Sequence, residues 1–187
     1  MKSKTGIFYG SNSDNTRIVA EMIQTAFARY SPTQIDILNI ANTQAEKMRN
    51  YDNLIIGCPT WYIGQLQEDW DISLPDIELL DLRGKRVALF GLGDQFGYPD
   101  TFVDAIGILG KQFEAVGAEL VGFTMTDGFE FDYSEGAEDG VFLGLALDED
   151  NQSELTPNRV EEWVHQLVDE FMLETHYSRA ESEYEFS

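Results

Sequence analysis

The chain has 187 residues, enough for one domain with a substantial core, and 43% of them are apolar. Its 34 acidic and 12 basic residues give a net charge of −22, which disfavours nucleic acid as a partner. No segment approaches the roughly 20 apolar residues that a membrane span needs. The single cysteine, Cys58, excludes an internal disulfide, and the first ten residues lack the apolar segment of a signal peptide. Together these features predict a cytoplasmic protein.

The acidic residues concentrate in the later part of the chain. Residues 1–60 contain six basic and five acidic residues, whereas residues 61–187 contain six and 29. Such a surface keeps a protein soluble, and it also attracts basic partners. The composition leaves both interpretations open.

Apolar segments typical of strands alternate with helical patterns along the chain. The predicted strands are residues 7–9, 35–38, 54–58, 87–92, 120–123 and 141–147. Apolar residues recur at helical spacing over 18–27, 102–113 and 160–172. We expect Thr156 to be the N-cap of the last helix and Pro157 to lie in its first turn. The strands are continuous apolar runs, so the predicted fold class is α/β, a doubly wound parallel sheet of five strands with helices on both faces.

The last two apolar runs have no helical pattern between them. Two parallel strands joined in sequence need a crossover connection, which is usually a helix. We therefore interpret the runs as one edge strand interrupted by residues 124–140. A surface loop without function is the alternative interpretation of the interruption.

Ligands of doubly wound sheets bind beyond the carboxyl ends of the strands. There the first strand is followed by "GSNSDNT", residues 10–16, whose hydroxyl and amide side chains precede a helix. Together with the N–H groups of the helix N-terminus, these side chains can hold a phosphate without a cation. The candidates are Ser11, Asn12, Ser13, Asn15 and Thr16. An ordinary helix N-cap is the alternative, and the pattern matches neither the GxxxxGKS/T nor the GxGxxG motif.

Two further loops place aromatic residues at the same edge of the sheet. Trp61 lies in "PTWYIG", residues 59–64, and Tyr98 lies in "GDQFGY", residues 93–98. Two aromatic side chains beside a phosphate-type turn indicate a flat conjugated ring held between them. Partly buried packing is the alternative role for Trp61.

These motifs, with the interrupted last strand and "GLALDEDNQ" at 144–152, resemble in content and order those of the flavodoxin family, long-chain type. The resemblance covers residues 4–173. It implies strand order 2-1-3-4-5, an FMN-binding domain over residues 1–174, and an acidic, flexible tail over residues 175–187. The interrupted strand corresponds to the long-chain insertion, which the family uses to recognise partners.

The resemblance implies FMN as the cofactor, with its phosphate in the first loop and its isoalloxazine ring between Trp61 and Tyr98. The other implied contacts to the ring edge and ribityl chain come from Pro59, Thr60, Tyr62, Ile63, Gly64, Gly93, Asp94, Gln95 and Asp148. The chain has Asp14 where the family usually has glycine. We expect Asp14 to point outward in a left-handed backbone conformation, with Arg17 offsetting its charge.

The resemblance further implies a one-electron carrier that shuttles between semiquinone and hydroquinone, without catalytic or metal-binding residues. A flipped peptide between Tyr62 and Ile63 would accept a hydrogen bond from the flavin. The implied partners are basic redox proteins, such as a flavodoxin/ferredoxin-NADP reductase and downstream acceptor enzymes, and we expect a monomer with no nucleic-acid or membrane partner. They would dock on an acidic rim formed by Glu68, Asp69, Asp71, Asp94 and Asp100.

Two other functions were weighed against this one. An FMN-dependent NAD(P)H:quinone oxidoreductase of the same fold needs a nicotinamide site over the flavin, where Trp61 and Tyr98 would lie. A phosphorylatable receiver domain needs an aspartate at the end of the third strand, where this chain has residues 57–59, Gly-Cys-Pro. Cys58 itself is expected to be an inert buried thiol.

Overall fold

The computed structural model describes residues 3–176, and their strands and helices alternate along the chain. The strands are β1 (Thr5–Tyr9), β2 (Ile35–Asn39), β3 (Asn53–Trp61), β4 (Gln65–Leu66), β5 (Arg86–Leu92), β6 (Glu119–Val121), β7 (Thr124–Met125), β8 (Ala137–Glu138), β9 (Val141–Phe142) and β10 (Leu145–Leu147). The helices are α1 (Asn15–Tyr30), α2 (Glu68–Ile77), α3 (Asp104–Ala115) and α4 (Thr156–Glu170). All but the first two residues of the predicted acidic tail lie outside the described residues.

The main sheet has the order β2-β1-β3-β5, and its fifth position is shared by β6 and β10. β6 pairs in parallel with the start of β5, and β10 pairs in parallel with its end. The predicted α/β class, strand order and interrupted edge strand are therefore confirmed. This arrangement places the carboxyl ends of β1, β3 and β5 side by side.

Helices cover both faces of the sheet, which explains the continuous apolar strands. One core cluster lies between the sheet and helices α1 and α4, where Trp163 is buried. The other lies between the sheet and helices α2 and α3, where Trp70 is buried. In the described residues, no helix combines the length and the apolar character needed to cross a bilayer.

The insertion in the edge strand is longer and more structured than predicted. Strands β7, β9 and β8 form a separate antiparallel sheet. The predicted strand over 141–147 is wrong as a single strand, because Val141 and Phe142 pair with this small sheet and only residues 145–147 return to β5. Gly144 makes the transition next to the Leu89 carbonyl, and a Cβ there would lie 2.1 Å from that oxygen.

The insertion packs onto the domain through aromatic rings. The ring of Phe102 lies next to those of Phe129, Phe131 and Phe142, with centroids 5.4 to 6.0 Å apart. Phe123, predicted to end a strand, instead lies outside it and is 42% exposed.

The start of α4 also differs from the prediction. Leu155 occupies the N-cap position, and Thr156 is the first residue of the helix. The Thr156 hydroxyl donates a hydrogen bond to the Glu149 carboxylate instead of capping its own helix. Pro157 lies in the first turn, as predicted.

Candidate functional site

A cavity of about 350 Å³ opens at the carboxyl ends of the central strands. Its lining residues come from four loops: Ser13, Asn15, Pro59, Thr60, Trp61, Tyr62, Leu92, Gly93, Asp94, Tyr98, Glu149 and Asp150. Nine of the sixteen residues expected to bind the cofactor are in this set. The loops that are distant in sequence therefore meet at one site.

The first loop starts α1 with an unusual backbone conformation. Asp14 is the N-cap residue, with φ 65° and ψ −14°, and its side chain makes no capping hydrogen bond. The carboxylate is 72% exposed and lies 3.3 Å from Arg17 Nε. Asp14 thus points outward and is paired with Arg17, which confirms the expectation.

One polar group of the same loop lacks a partner. The Ser11 hydroxyl oxygen is buried and has no hydrogen-bond partner among residues 3–176. Thr16 is buried in the first turn of α1, and Asn15 lies beside it on the cavity. Because a buried hydroxyl without a partner is costly, this loop is suited to an anionic ligand that accepts its hydrogen bond.

Gln67 holds the first loop, residues 10–16, through a hydrogen bond to Asn12, although the sequence did not identify it as a site residue. Its side chain is 1% exposed, and Nε2 donates to Asn12 Oδ1 at 2.8 Å and to Asp69 Oδ2 at 2.5 Å. Gly10 lies against the same amide, since a Cβ there would be 2.1 Å from Gln67 Oε1. Nothing in the sequence marks this glutamine, because it stands among polar residues that resemble an exposed loop.

The tryptophan loop, residues 59–64 with Trp61, is a hairpin between β3 and β4. Its turn contains two left-handed residues, Tyr62 with φ 47° and Gly64 with φ 74°. A non-glycine residue in this region costs about 1–3 kcal/mol, so the turn is strained at Tyr62. Trp61 is partly buried on the cavity, whereas Ile63 is 79% exposed and does not line it.

The tyrosine loop, residues 93–98 with Tyr98, is held in shape by the Asp94 carboxylate. Asp94 Oδ1 accepts hydrogen bonds from the backbone N–H groups of Gly97 and Phe96 and from Asn151 Nδ2. These hydrogen bonds, led by that of Gly97, lower the pKa of Asp94. The carboxylate is therefore ionised at neutral pH, and Tyr98 is held on the cavity with 51% of its surface exposed.

Asp148 and Gln95 lie behind the cavity instead of lining it. Both are fully buried, and Asp148 Oδ2 accepts hydrogen bonds from the backbone N–H and from Nε2 of Gln95, at 3.1 and 2.7 Å. Gln95 Oε1 accepts from the Glu130 N–H of the insertion at 2.6 Å. The side chain of Gln95 is thus engaged in internal hydrogen bonds that join three loops, and the expected backbone or side-chain contact of Gln95 with the ring edge stays a prediction.

Two lining carboxylates, Glu149 and Asp150, were not among the expected site residues. Burial, followed by the charges of Asp94 and Asp148, raises the pKa of Asp150. Negative groups around the cavity disfavour additional negative charge within it. Among residues 3–176, no group of three or more His, Cys, Asp or Glu side chains could hold a metal ion.

We predict that Cys58 does not react with iodoacetamide in the folded protein. The thiol is 2% exposed, and burial raises its pKa to about 12, so the reactive thiolate is scarce at pH 8. Mass spectrometry should show an unmodified native chain and complete labelling in urea. Fast labelling of the native chain would contradict the placement of Cys58 in the core.

Both the sequence and the structure are similar to those of known proteins. Residues 7–163 match the family model described as Flavodoxin. A flavodoxin of Synechococcus elongatus is 45% identical over 171 residues, covering 91% of this chain and 99% of that protein. Flavodoxin 1 of Escherichia coli is 46% identical over 171 residues, covering 91% and 96%. The solved structure of Fusobacterium nucleatum flavodoxin bound to flavin mononucleotide superposes with a TM-score of 0.85 at 33% identity, covering 90% of this chain and 98% of that one.

Proposed function

The chain belongs to the flavodoxin family, whose members transfer electrons and are not enzymes, and from this we infer that it is an FMN-dependent electron carrier. The observation that carries the assignment of the site is the cavity between Trp61 and Tyr98, next to a phosphate-type turn with an unpartnered buried hydroxyl. When bound, FMN supplies the one-electron redox chemistry.

The phosphate of FMN fits the first loop. The Ser11 hydroxyl can donate the hydrogen bond that it does not make within the chain. Ser13 and Asn15 line the cavity, and Thr16 lies at the start of α1, whose N-terminal N–H groups favour an anion. The Asn12 side chain helps to hold the loop in place, because its Oδ1 accepts a hydrogen bond from Gln67.

The flat ring of FMN fits between Trp61 and Tyr98, which line the cavity from two different loops. Rotation of the peptide between Tyr62 and Ile63 would direct the Tyr62 carbonyl toward the ring edge as a hydrogen-bond acceptor. Tyr62 already has a left-handed backbone conformation, so this turn is strained at the residue whose carbonyl would rotate. The carboxylates of Asp94, Glu149 and Asp150 disfavour negative charge in the cavity and so favour release of an electron.

We predict that replacing Asp14 with glycine strengthens FMN binding about twofold. The carboxylate points outward and is paired with Arg17, so its removal eliminates only part of the repulsion of about 1 kcal/mol that two charges about 4 Å apart have in water, and glycine adopts φ 65° without strain. Quenching of FMN fluorescence measures the dissociation constant. The control, Glu21→Gln, removes the other carboxylate paired with Arg17 but leaves the loop backbone unchanged. Weaker binding to Asp14→Gly would contradict this account of the loop.

The redox partners of the chain are proposed to be basic proteins, such as a flavodoxin/ferredoxin-NADP reductase and acceptor enzymes of the cytoplasm. Of the five residues in the acidic rim, Glu68, Asp71 and Asp100 are exposed. Asp69 and Asp94 accept hydrogen bonds within the chain and are partly buried. Steering by exposed charges accelerates association and is screened by salt.

We predict that the double variant Glu68→Gln, Asp71→Asn slows electron transfer with a basic reductase at low ionic strength, by roughly two- to tenfold. The matched control is Asp76→Asn, Glu78→Gln, which removes two exposed carboxylates from the other end of α2. Stopped-flow kinetics should show a difference between the variants that disappears at high salt. Equal rates for both double variants at low salt would exclude steering by this part of the rim.

The test of the proposed function is a titration of the apoprotein with FMN, followed by an assay of NAD(P)H oxidation. We expect quenching of FMN fluorescence at one FMN per chain, weaker binding of riboflavin, and no steady-state oxidation of NAD(P)H. Turnover with NAD(P)H would favour the oxidoreductase alternative instead. Equal affinity for riboflavin would exclude the first loop as a phosphate site.

A further inference from the structure

A second cavity lies at the edge of the main sheet, between β7, β10 and helix α4. Its volume is about 360 Å³, and it shares no lining residue with the cavity proposed for FMN. Its walls combine polar side chains with the apolar side chains of Phe123, Met125, Phe129 and Trp163. Phe123 and Met125 are 42% and 61% exposed, so the cavity is open to a ligand from solution.

The head group of Arg159 lies in this cavity, and it has no hydrogen-bonding partner in the part of the chain that the structure describes. Its Cζ is 4.1 Å from the centroid of the Phe129 ring, and its Nη1 is buried with no hydrogen-bond partner. The other cations in the described part of residues 61–176 have carboxylate or carbonyl partners: Arg83, Lys85, Arg86 and Lys111. In a segment this acidic, an uncommitted guanidinium is unusual, and its buried donor is costly unless an acceptor arrives.

Among the described residues no carboxylate forms an ion pair with Arg159, although the charges of Asp148 and Glu154 act on its guanidinium. Asp127 and Glu162 both line the cavity, yet within the described residues neither forms an ion pair with Arg159. Glu162 instead accepts a hydrogen bond from Asn158. The amide of Gln166 is also committed, since it donates to the Phe123 carbonyl and to Glu170. Arg159 Nη1 is therefore a donor without an acceptor, and its guanidinium lies against the Phe129 ring.

We propose that this cavity is a binding site for a small aromatic monocarboxylate. The carboxylate would accept hydrogen bonds from Arg159, whose planar fork matches its geometry, and the ring would pack between Phe123, Met125 and Trp163. The single negative charge is part of the proposal, because Asp127 and Glu162 repel a phosphate or a dicarboxylate more strongly. The site is independent of the FMN cavity, so it does not depend on the proposed function.

The probes for this proposal are phenylacetate, the neutral phenylacetamide and the cationic phenethylamine. Each is titrated into the protein as purified, and amide NMR spectra are recorded. We expect phenylacetate to cause saturable shifts in β7 and in the α4 residues around Arg159. We expect phenylacetamide and phenethylamine to bind at least about tenfold more weakly, because neither offers a carboxylate to the guanidinium.

Two variants test the role of the guanidinium. Arg159→Gln should weaken phenylacetate binding at least about tenfold, whereas Arg83→Gln removes a guanidinium from an exposed surface pair and should leave it unchanged. Should Arg159→Gln unfold, Arg159→Lys keeps the charge but loses the fork and should still bind less tightly than the unaltered protein. The proposal is overturned if phenylacetate causes no saturable shift, if phenylacetamide binds equally well, or if the folded Arg159 variant retains full affinity.

Discussion

Replacing Asp148 with alanine is expected to lower the free energy of unfolding by at least about 3 kcal/mol and to weaken FMN binding. The carboxylate is completely buried and accepts hydrogen bonds from two donors of Gln95, from the N–H and side-chain amide of Asn151, and from the Asp150 N–H. Alanine would leave the two Gln95 donors buried without this acceptor. Because Gln95 belongs to the tyrosine loop, the loss would also disorder one wall of the FMN cavity.

Urea denaturation of the FMN-free protein measures the change in stability, and FMN titration measures the change in affinity. The matched control is Asp169→Ala, which removes an exposed carboxylate from α4, outside the FMN cavity. We expect this control to change the free energy of unfolding by less than about 0.5 kcal/mol. Equal stability of the two variants would show that Asp148 does not join the loops in the way described.

Replacing Gly10 with alanine is expected to weaken FMN binding about a hundredfold. The new Cβ would lie 2.1 Å from Gln67 Oε1 and 2.8 Å from Trp70 Cδ1, and both side chains are buried. Gln67 also holds Asn12, so its displacement moves the phosphate loop directly. Overpacking at a site like this costs about 1–3 kcal/mol. A hundredfold decrease in affinity corresponds to about 2.7 kcal/mol of lost binding free energy, near the upper end of that range.

Gly110 provides the control for this variant. It lies inside helix α3, where a Cβ would meet its nearest neighbour at an ordinary 3.4 Å. Gly110→Ala should leave FMN affinity unchanged and stabilise the protein by up to about 1 kcal/mol, since alanine favours a helix. FMN titration gives the dissociation constants of both variants. Unchanged FMN affinity in Gly10→Ala would show that Gly10 and Gln67 do not position the phosphate loop.

The fold followed from the sequence because strand and helix patterns were long and regular. The details of the insertion did not follow, because its pairings are set by contacts distant in sequence. Val141 and Phe142 are as apolar as Leu145, yet they pair with the small sheet while Leu145 pairs with β5, and Gly144 lies between them next to Leu89. Likewise, the Thr156 hydroxyl is drawn from its expected cap by Glu149, which a local pattern cannot reveal.

The candidate site divides in a similar way. The aromatic residues Trp61 and Tyr98 were identified from their positions after strand ends, where side chains face the ligand edge of the sheet. Asp14 was expected to point outward for reasons of backbone conformation and charge, which act locally. Gln67 was missed, because burial of a polar side chain depends on partners that the sequence does not place. Asp148 is buried and does not line the cavity, and its expected position near the ribityl chain stays a prediction.

The insertion has a structural link to the cavity that sequence patterns did not show. The Glu130 N–H donates to Gln95, and Gln95 donates to Asp148, so three segments meet at one buried pair of side chains. The cluster formed by Phe102 and Phe129 holds the same insertion to the domain. The insertion therefore helps to fix the tyrosine loop, in addition to the partner contacts proposed from the family resemblance.

The most direct test of the central claim is an equilibrium redox titration of the FMN-loaded protein, followed by absorption. The account predicts two separate one-electron steps, with the second at low potential because Asp94, Glu149 and Asp150 surround the cavity. A single two-electron step would contradict the assignment of this chain as a one-electron carrier.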